Sequence, residues 1–168
     1  MCDINLIINE LREHIDNPEA GLPEELFLFI TEITPMVNVD LLIRNNTGKY
    51  LLAWRKEPKP YPDGWHIPGG IVRVKETRNQ RIEMTALKEI GCPVSYNPEP
   101  LTMIEGIHPE VKIRPHFYSF LYDCRVPDDY VINNKSTLPN ETGYLAWHDK
   151  FPDNMIKVHY QYKEFFKG

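Results

Sequence analysis

The stretch Trp65-His66-Ile67-Pro68-Gly69-Gly70, continued to residue 92 as IVRVKETRNQRIEMTALKEIGC, restricts what this chain can fold into more than any other segment. Paired glycines carry no side chains to hold a ligand off the backbone, so the carbonyls of Gly69 and Gly70 can approach a bound group and can ligate a hard cation. Glu76 and Thr77 then lead into a run of helical length. Ile82, Ala86, Leu87 and Ile90 make an inward stripe on that helix, and Gly91 suits its C-terminal cap. Glu89 falls at the edge of the stripe. An unpaired buried carboxylate is costly, so a glutamate there implies a compensating cation, either a metal ion or a basic side chain.

The rest of the chain frames this motif. Ile4, Ile8, Leu11 and Ile15 form one apolar stripe of a first helix. Asn17-Pro18 and Gly21-Leu22-Pro23 interrupt it, and Glu24 to Ile33 reads as a second short helix ended near Pro35. The chain thus divides into a helical extension, residues 1–22, and a domain, residues 23–168. The extension serves either as a dimer arm or as an extra layer on the domain. Val37, Val39, Leu41 and Ile43 alternate with Asn38, Asp40 and Arg44, as in a strand with one buried face. Asn45-Asn46-Thr47-Gly48 is a turn, and residues 50–54 return as the partner strand. Pro58, Pro60 and Pro62 keep the next loop irregular at the border of a pocket. Further strands are expected at 101–107, 113–122 and 144–148, and a closing helix over 155–166.

The 168 residues amount to one catalytic domain with a sizeable core. A net charge of -5 argues against broad capture of nucleic acid or of an acidic membrane. Apolar runs are too short to span a bilayer, and no secretory signal is visible. Cys2, Cys92 and Cys124 are odd in number and widely spaced, which favours reduced thiols and a cytoplasmic location. The six histidines show no zinc spacing, leaving Mg2+ or Mn2+ as the favoured metal.

Residues 65–92 resemble the Nudix box, G-x5-E-x7-R-E-U-x-E-E-x-G-U, where U is bulky and apolar. Gly70, Glu76, Glu89 and Gly91 occupy their box positions, whereas Met84 replaces the arginine and Thr85 and Lys88 replace two glutamates. TPMVNVDLLIRNNTGKYLLAWR at 34–55, the proline loop, WHIPGG, PHF at 115–117 and the closing YLAW also follow the order of one branch, the GDP-mannose mannosyl hydrolases. That branch likewise keeps the last glutamate while losing others. The resemblance runs from Pro23 onward and implies an α/β/α sandwich with a mixed sheet, to which this chain adds an N-terminal helix.

The same resemblance implies a metal-dependent hydrolase of a nucleoside diphosphate sugar. In this chain Glu89, the Gly69 carbonyl and Glu141, in the loop before YLAW, are the counterparts that would hold Mg2+ or Mn2+. Arg55 matches an arginine on the substrate's diphosphate, and Asp40 matches an aspartate near the guanine; the alternative for Asp40 is a polar residue on the strand's outer face. The family arginine after the paired glycines is Ile71 here. Arg73 and Arg81 either compensate for the two missing arginines or are surface charges. The loop Asn140-Glu141-Thr142-Gly143 lacks the family's basic histidine, which leaves Glu141 or His108 to activate water beside Arg55. Attack at the sugar carbon gives free sugar and nucleoside diphosphate. The alternatives are P–O cleavage and a noncatalytic nucleotide-binding domain.

Overall fold

A computed structural model of the chain describes residues 3–57 and 62–166. Eight strands form one mixed sheet: β1 (Met36–Arg44), β2 (Tyr50–Arg55), β3 (Gly64–His66), β4 (Gly69–Ile71), β5 (Ser95–Tyr96), β6 (Thr102–Ile107), β7 (His116–Arg125) and β8 (Leu145–His148). β1 is central. It runs parallel to β7 in unbroken register from Met36 opposite Phe117 to Arg44 opposite Arg125, and antiparallel to β2 and β4. β3 and β8 add to β2, while β5 and β6 add to β7.

Helix α3 (Arg78–Ile90) covers one face of the sheet. Val39, Leu41 and Ile43 pack there with Leu51, Ala53, Ile82, Ala86 and Tyr122. On the other face Leu42 packs with Tyr50, Leu52, Ile67, Leu121 and Tyr162. Burial on both sides is usual for a strand whose sheet is covered on both faces, and it corrects the one-sided alternation expected for β1. Asp40 is therefore buried, and Val37, expected inside, is 40% exposed where the strand begins.

Local chemistry fixes the ends of α3. Thr77 and Gln80 form a reciprocal capping box, and Gly91, at φ 73°, takes the left-handed conformation that ends the helix. The buried positions are Arg81, Ile82, Thr85, Ala86 and Ile90. Leu87, expected in the inward stripe, is exposed, because the buried face is turned toward Arg81 and Thr85.

Three further differences have physical causes. Helix α1 (Ile4–Glu13) forms behind the Asp3 cap and buries none of its residues, although Leu11 lines one cavity with Leu26 and Phe29. β7 starts at His116 rather than 113, because Arg114 is left-handed at φ 56° and Pro115 has no N–H for the ladder. The closing element is a 3-10 helix, Lys157–Phe165: the buried His159 and Tyr162 lie three residues apart, the spacing that aligns on a 3-10 turn. Helix α2 (Glu24–Ile33) matches its expected bounds. Cys92 and Cys124 are free thiols, while Cys2, Pro58 and Pro60 lie outside the described residues. No described helix is long and apolar enough to cross a membrane.

Candidate active site

The glycine pair sits between β1 and α3. Gly69 is the register partner of Asp40, and Gly70 that of Val39. A β-carbon on Gly69 would collide with Asp40 Oδ1, and one on Gly70 with Thr85 Oγ1 and the Arg81 side chain. The missing side chains thus let the loop pack between strand and helix while Asp40 and Thr85 stand against it.

Arg81 pairs with Glu76 at the start of α3. Its Nε donates to Glu76 Oε2 at 2.8 Å and its Nη2 to Oε1 at 2.7 Å, a two-pronged pair whose side chains are 9% and 14% exposed. Glu76 also accepts from the Arg73 N–H at 2.8 Å. Burial alone would raise the Glu76 pKa, but these hydrogen bonds and the two arginine charges outweigh it and hold the carboxyl below its ordinary value. Arg81 is therefore no surface charge, whereas Met84 is exposed. Glu76 ties the loop to the start of α3 and is spent on that structural role.

Glu89 is half-buried. Burial raises its pKa, and the charges of Lys88 and Arg55 pull the other way. One turn earlier, the buried Thr85 Oγ1 has no hydrogen-bond partner among the described residues. Among the described residues no group of three or more His, Cys, Asp or Glu side chains could hold a metal ion. The donors at hand are oxygens: the Glu89 carboxylate, the orphaned Thr85 hydroxyl and the Gly69 carbonyl. A set with one carboxylate fits a single hard ion that keeps most of its water, and does not fit a multi-ion cluster.

Arg55 stands at the end of β2. Its Nε lies 2.9 Å from Glu57 Oε1, and its charge acts on Asp40, Glu89, His66, His159 and Arg114. Asp40 Oδ2 accepts from Ser119 Oγ at 2.5 Å and from Tyr162 Oη at 2.7 Å. Burial pushes its carboxyl up to about 6, against those hydrogen bonds and Arg55. Asp40 is thus not on an outer face, and one of its oxygens already has two donors. Burial, first, and neighbouring charge also push His66 and His159 down to about 3, so both are neutral at pH 7. His159 Nδ1 accepts from the Ile67 N–H at 3.0 Å, which leaves its proton on Nε2.

The other expected residues are dispersed. Arg73 is exposed, and its Nη1 donates to the Glu19 carbonyl at 3.4 Å, toward the N-terminal segment. Glu141 is exposed, and its Oε2 accepts from the Leu138 N–H at 2.8 Å within its own turn. His108 stacks on Phe117 with ring centroids 6.0 Å apart, in the 108–115 loop. Sequence reasoning passed over Glu57, Ser119, Tyr162 and Arg114. Their roles arise from strands and a terminal helix that meet only in the folded chain; the left-handed Arg114 before Pro115 left no motif.

The NUDIX domain family profile matches residues 34–152. This chain belongs to that family, whose members generally use divalent metal ions such as Mg2+ or Mn2+. Its relatives include the low-salt glycan biosynthesis protein Agl8 of Haloferax volcanii, 29% identical over 70% of this chain and 76% of that one. Among solved structures, the MutT protein of Methanosarcina mazei Go1 aligns with a TM-score of 0.59 at 19% identity, covering 80% and 94% of the two chains. A UDP-X diphosphatase aligns with a TM-score of 0.57 at 17% identity, over 98% of this chain and 76% of its own. These two likenesses are of fold.

Proposed function

We propose that this Nudix domain hydrolyses a nucleoside diphosphate sugar, with GDP-mannose the first candidate, releasing the sugar and the nucleoside diphosphate. The observation that carries this reading is the set of oxygens at the glycine pair, with Asp40 and Thr85 against Gly69 and Gly70 and the half-buried Glu89 one turn beyond Thr85, together with the Arg55 charge that acts on both carboxylates. Diphosphate oxygens suit a planar guanidinium, and Asp40, with Ser119 and Tyr162 donating to Oδ2 and Gly69 packed against Oδ1, holds the glycine loop beside it. The relative named for glycan biosynthesis supports a sugar-bearing substrate.

In this mechanism Arg55 holds the diphosphate and orients the sugar carbon toward water. The new bond joins the water oxygen to the sugar carbon. The bond from that carbon to the diphosphate breaks, and the electron pair leaves with the nucleoside diphosphate. The proton of the attacking water passes to Glu141, once it leaves its bond to Leu138, or to His108, and either must move toward the site from its place in a loop. A divalent cation held by Glu89, Thr85 and the Gly69 carbonyl would supply charge neutralisation on the leaving diphosphate. The neutral His66 and His159 line the buried side without adding charge. P–O cleavage is the second reading, favoured by the lack of a histidine in the loop Asn140-Glu141-Thr142-Gly143.

The test is incubation with GDP-mannose, GDP-glucose, GDP-fucose, UDP-sugars and ADP-ribose in the presence of Mg2+, with products separated by ion exchange. At least one GDP-sugar should yield GDP and free sugar. No turnover across the panel overturns the proposal in favour of a noncatalytic nucleotide-binding domain.

A further inference from the structure

We propose that Arg114 is a second phosphate-binding residue of this site, and that α2, which precedes the matched family segment, belongs to the site because it holds Arg114 there. The inference rests on the reading of a phosphate-bearing substrate at Arg55.

Three contacts along α2 fix the loop that carries Arg114. The Arg114 N–H donates to Thr31 Oγ1 at 3.4 Å, and the buried Thr31 hydroxyl itself donates to the Leu28 carbonyl at 2.7 Å. The guanidinium lies over the Phe27 ring, 5.1 Å from its centroid. Lys112 Nζ pairs with Glu32 Oε2 at 3.3 Å. Arg114 is also one of three non-glycine residues with positive φ among the described residues. Such a conformation costs a residue with a β-carbon about 1–2 kcal/mol and persists where the surroundings impose it.

The contacts use the backbone and the flat face of the guanidinium. Its N–H edge has no hydrogen-bond acceptor among the described residues, so five donors remain for a ligand. Topology brings Arg114 to the same end of the sheet as Arg55. Arg55 ends β2 and Arg114 leads into β7, and both lie at the end of the sheet from which β1 starts. The two cations are close enough that Arg55 adds to the burial that lowers the Arg114 pKa, while Glu57 opposes it. Two guanidiniums gathered beside one carboxylate, in a chain of net charge -5, form a local positive site for an anion with several oxygens.

The test is calorimetric binding of inorganic pyrophosphate, without metal and at low salt, to the full chain and its variants. Arg114→Ala and Arg55→Ala should each weaken binding about tenfold or more, as loss of a charge-assisted pair does. Arg114→Lys should recover part of the loss because it keeps charge without the fork. Phe27→Leu should fall between wild type and Arg114→Ala at an unchanged melting temperature, and Lys112→Ala should stay within about twofold, its charge being spent on Glu32. Substrate kinetics should show the Arg114→Lys loss in KM more than in kcat. If Arg55→Ala loses pyrophosphate and Arg114→Ala binds it like wild type, the role of Arg114 is overturned while the proposed function stands. If wild type does not bind pyrophosphate, or neither arginine matters, both fall together.

Discussion

Replacing Arg81 by methionine should destabilise the domain by about 2–3 kcal/mol, because it strands Glu76. The pair is two-pronged, at 2.7 and 2.8 Å, with both side chains largely out of solvent. Removing one partner of a buried pair costs about 3–5 kcal/mol, chiefly the price of the charge left behind. Glu76 keeps the Arg73 N–H and 14% exposure, which places the loss at or below the lower end of that range. For a domain of this size the melting temperature should fall by about 4–12 °C. The double variant Arg81→Met/Glu76→Gln should recover part of the loss, since no unpaired charge remains. The pH dependence has a definite sign. The folded pKa of Glu76 is depressed below 4.5, so the pair's contribution is present above about that pH and is lost as pH falls through the folded value. Thermal unfolding at pH 7.5 and pH 3.5 should therefore show a gap between wild type and Arg81→Met that narrows in acid. An equal gap at both pH values, or a double variant worse than either single one, refutes this reasoning.

Two other outcomes follow from the buried carboxylates. Asp40→Asn should stabilise the fold at pH 8 by up to about 3 kcal/mol while impairing turnover: a carboxyl raised from 3.8 to about 6 loses stability as pH climbs through that window, so denaturant unfolding should show the gain at pH 8 and none near pH 3.5. Glu89→Gln should leave the circular dichroism spectrum intact but lower both Mn2+ binding, followed by water-proton relaxation, and turnover by about 100-fold or more; a variant that binds and hydrolyses like wild type removes Glu89 from the metal site.

The sequence made the box and the sheet's outline readable because both rest on local rules. Gly91 had to be left-handed to end α3, and the turn at 45–48 was written in Asn and Gly. The outer-face alternative for Asp40 fails because alternation cannot report that a second layer, carrying Tyr162, closes over that face. Arg81 was undecided for a related reason: its partner Glu76 lies before the helix starts, so helical periodicity alone gives it no partner. Leu87 shows the same limit in reverse, since a leucine on a plausible stripe is exposed once α3 turns Thr85 and Arg81 toward the glycine pair. Arg114 carried no signal at all, because what marks it is the meeting of α2 with the loop before β7.

The bond that breaks tests the account's central claim most directly. Hydrolysis of GDP-mannose, or of whichever GDP-sugar the panel shows to turn over, should be run with Mg2+ in water enriched in oxygen-18 and the products weighed by mass spectrometry. Attack at the sugar carbon predicts one heavy oxygen in the free sugar and unlabelled GDP. Label found in a phosphate, with sugar phosphate and nucleoside monophosphate as products, contradicts that claim and assigns the attack to phosphorus.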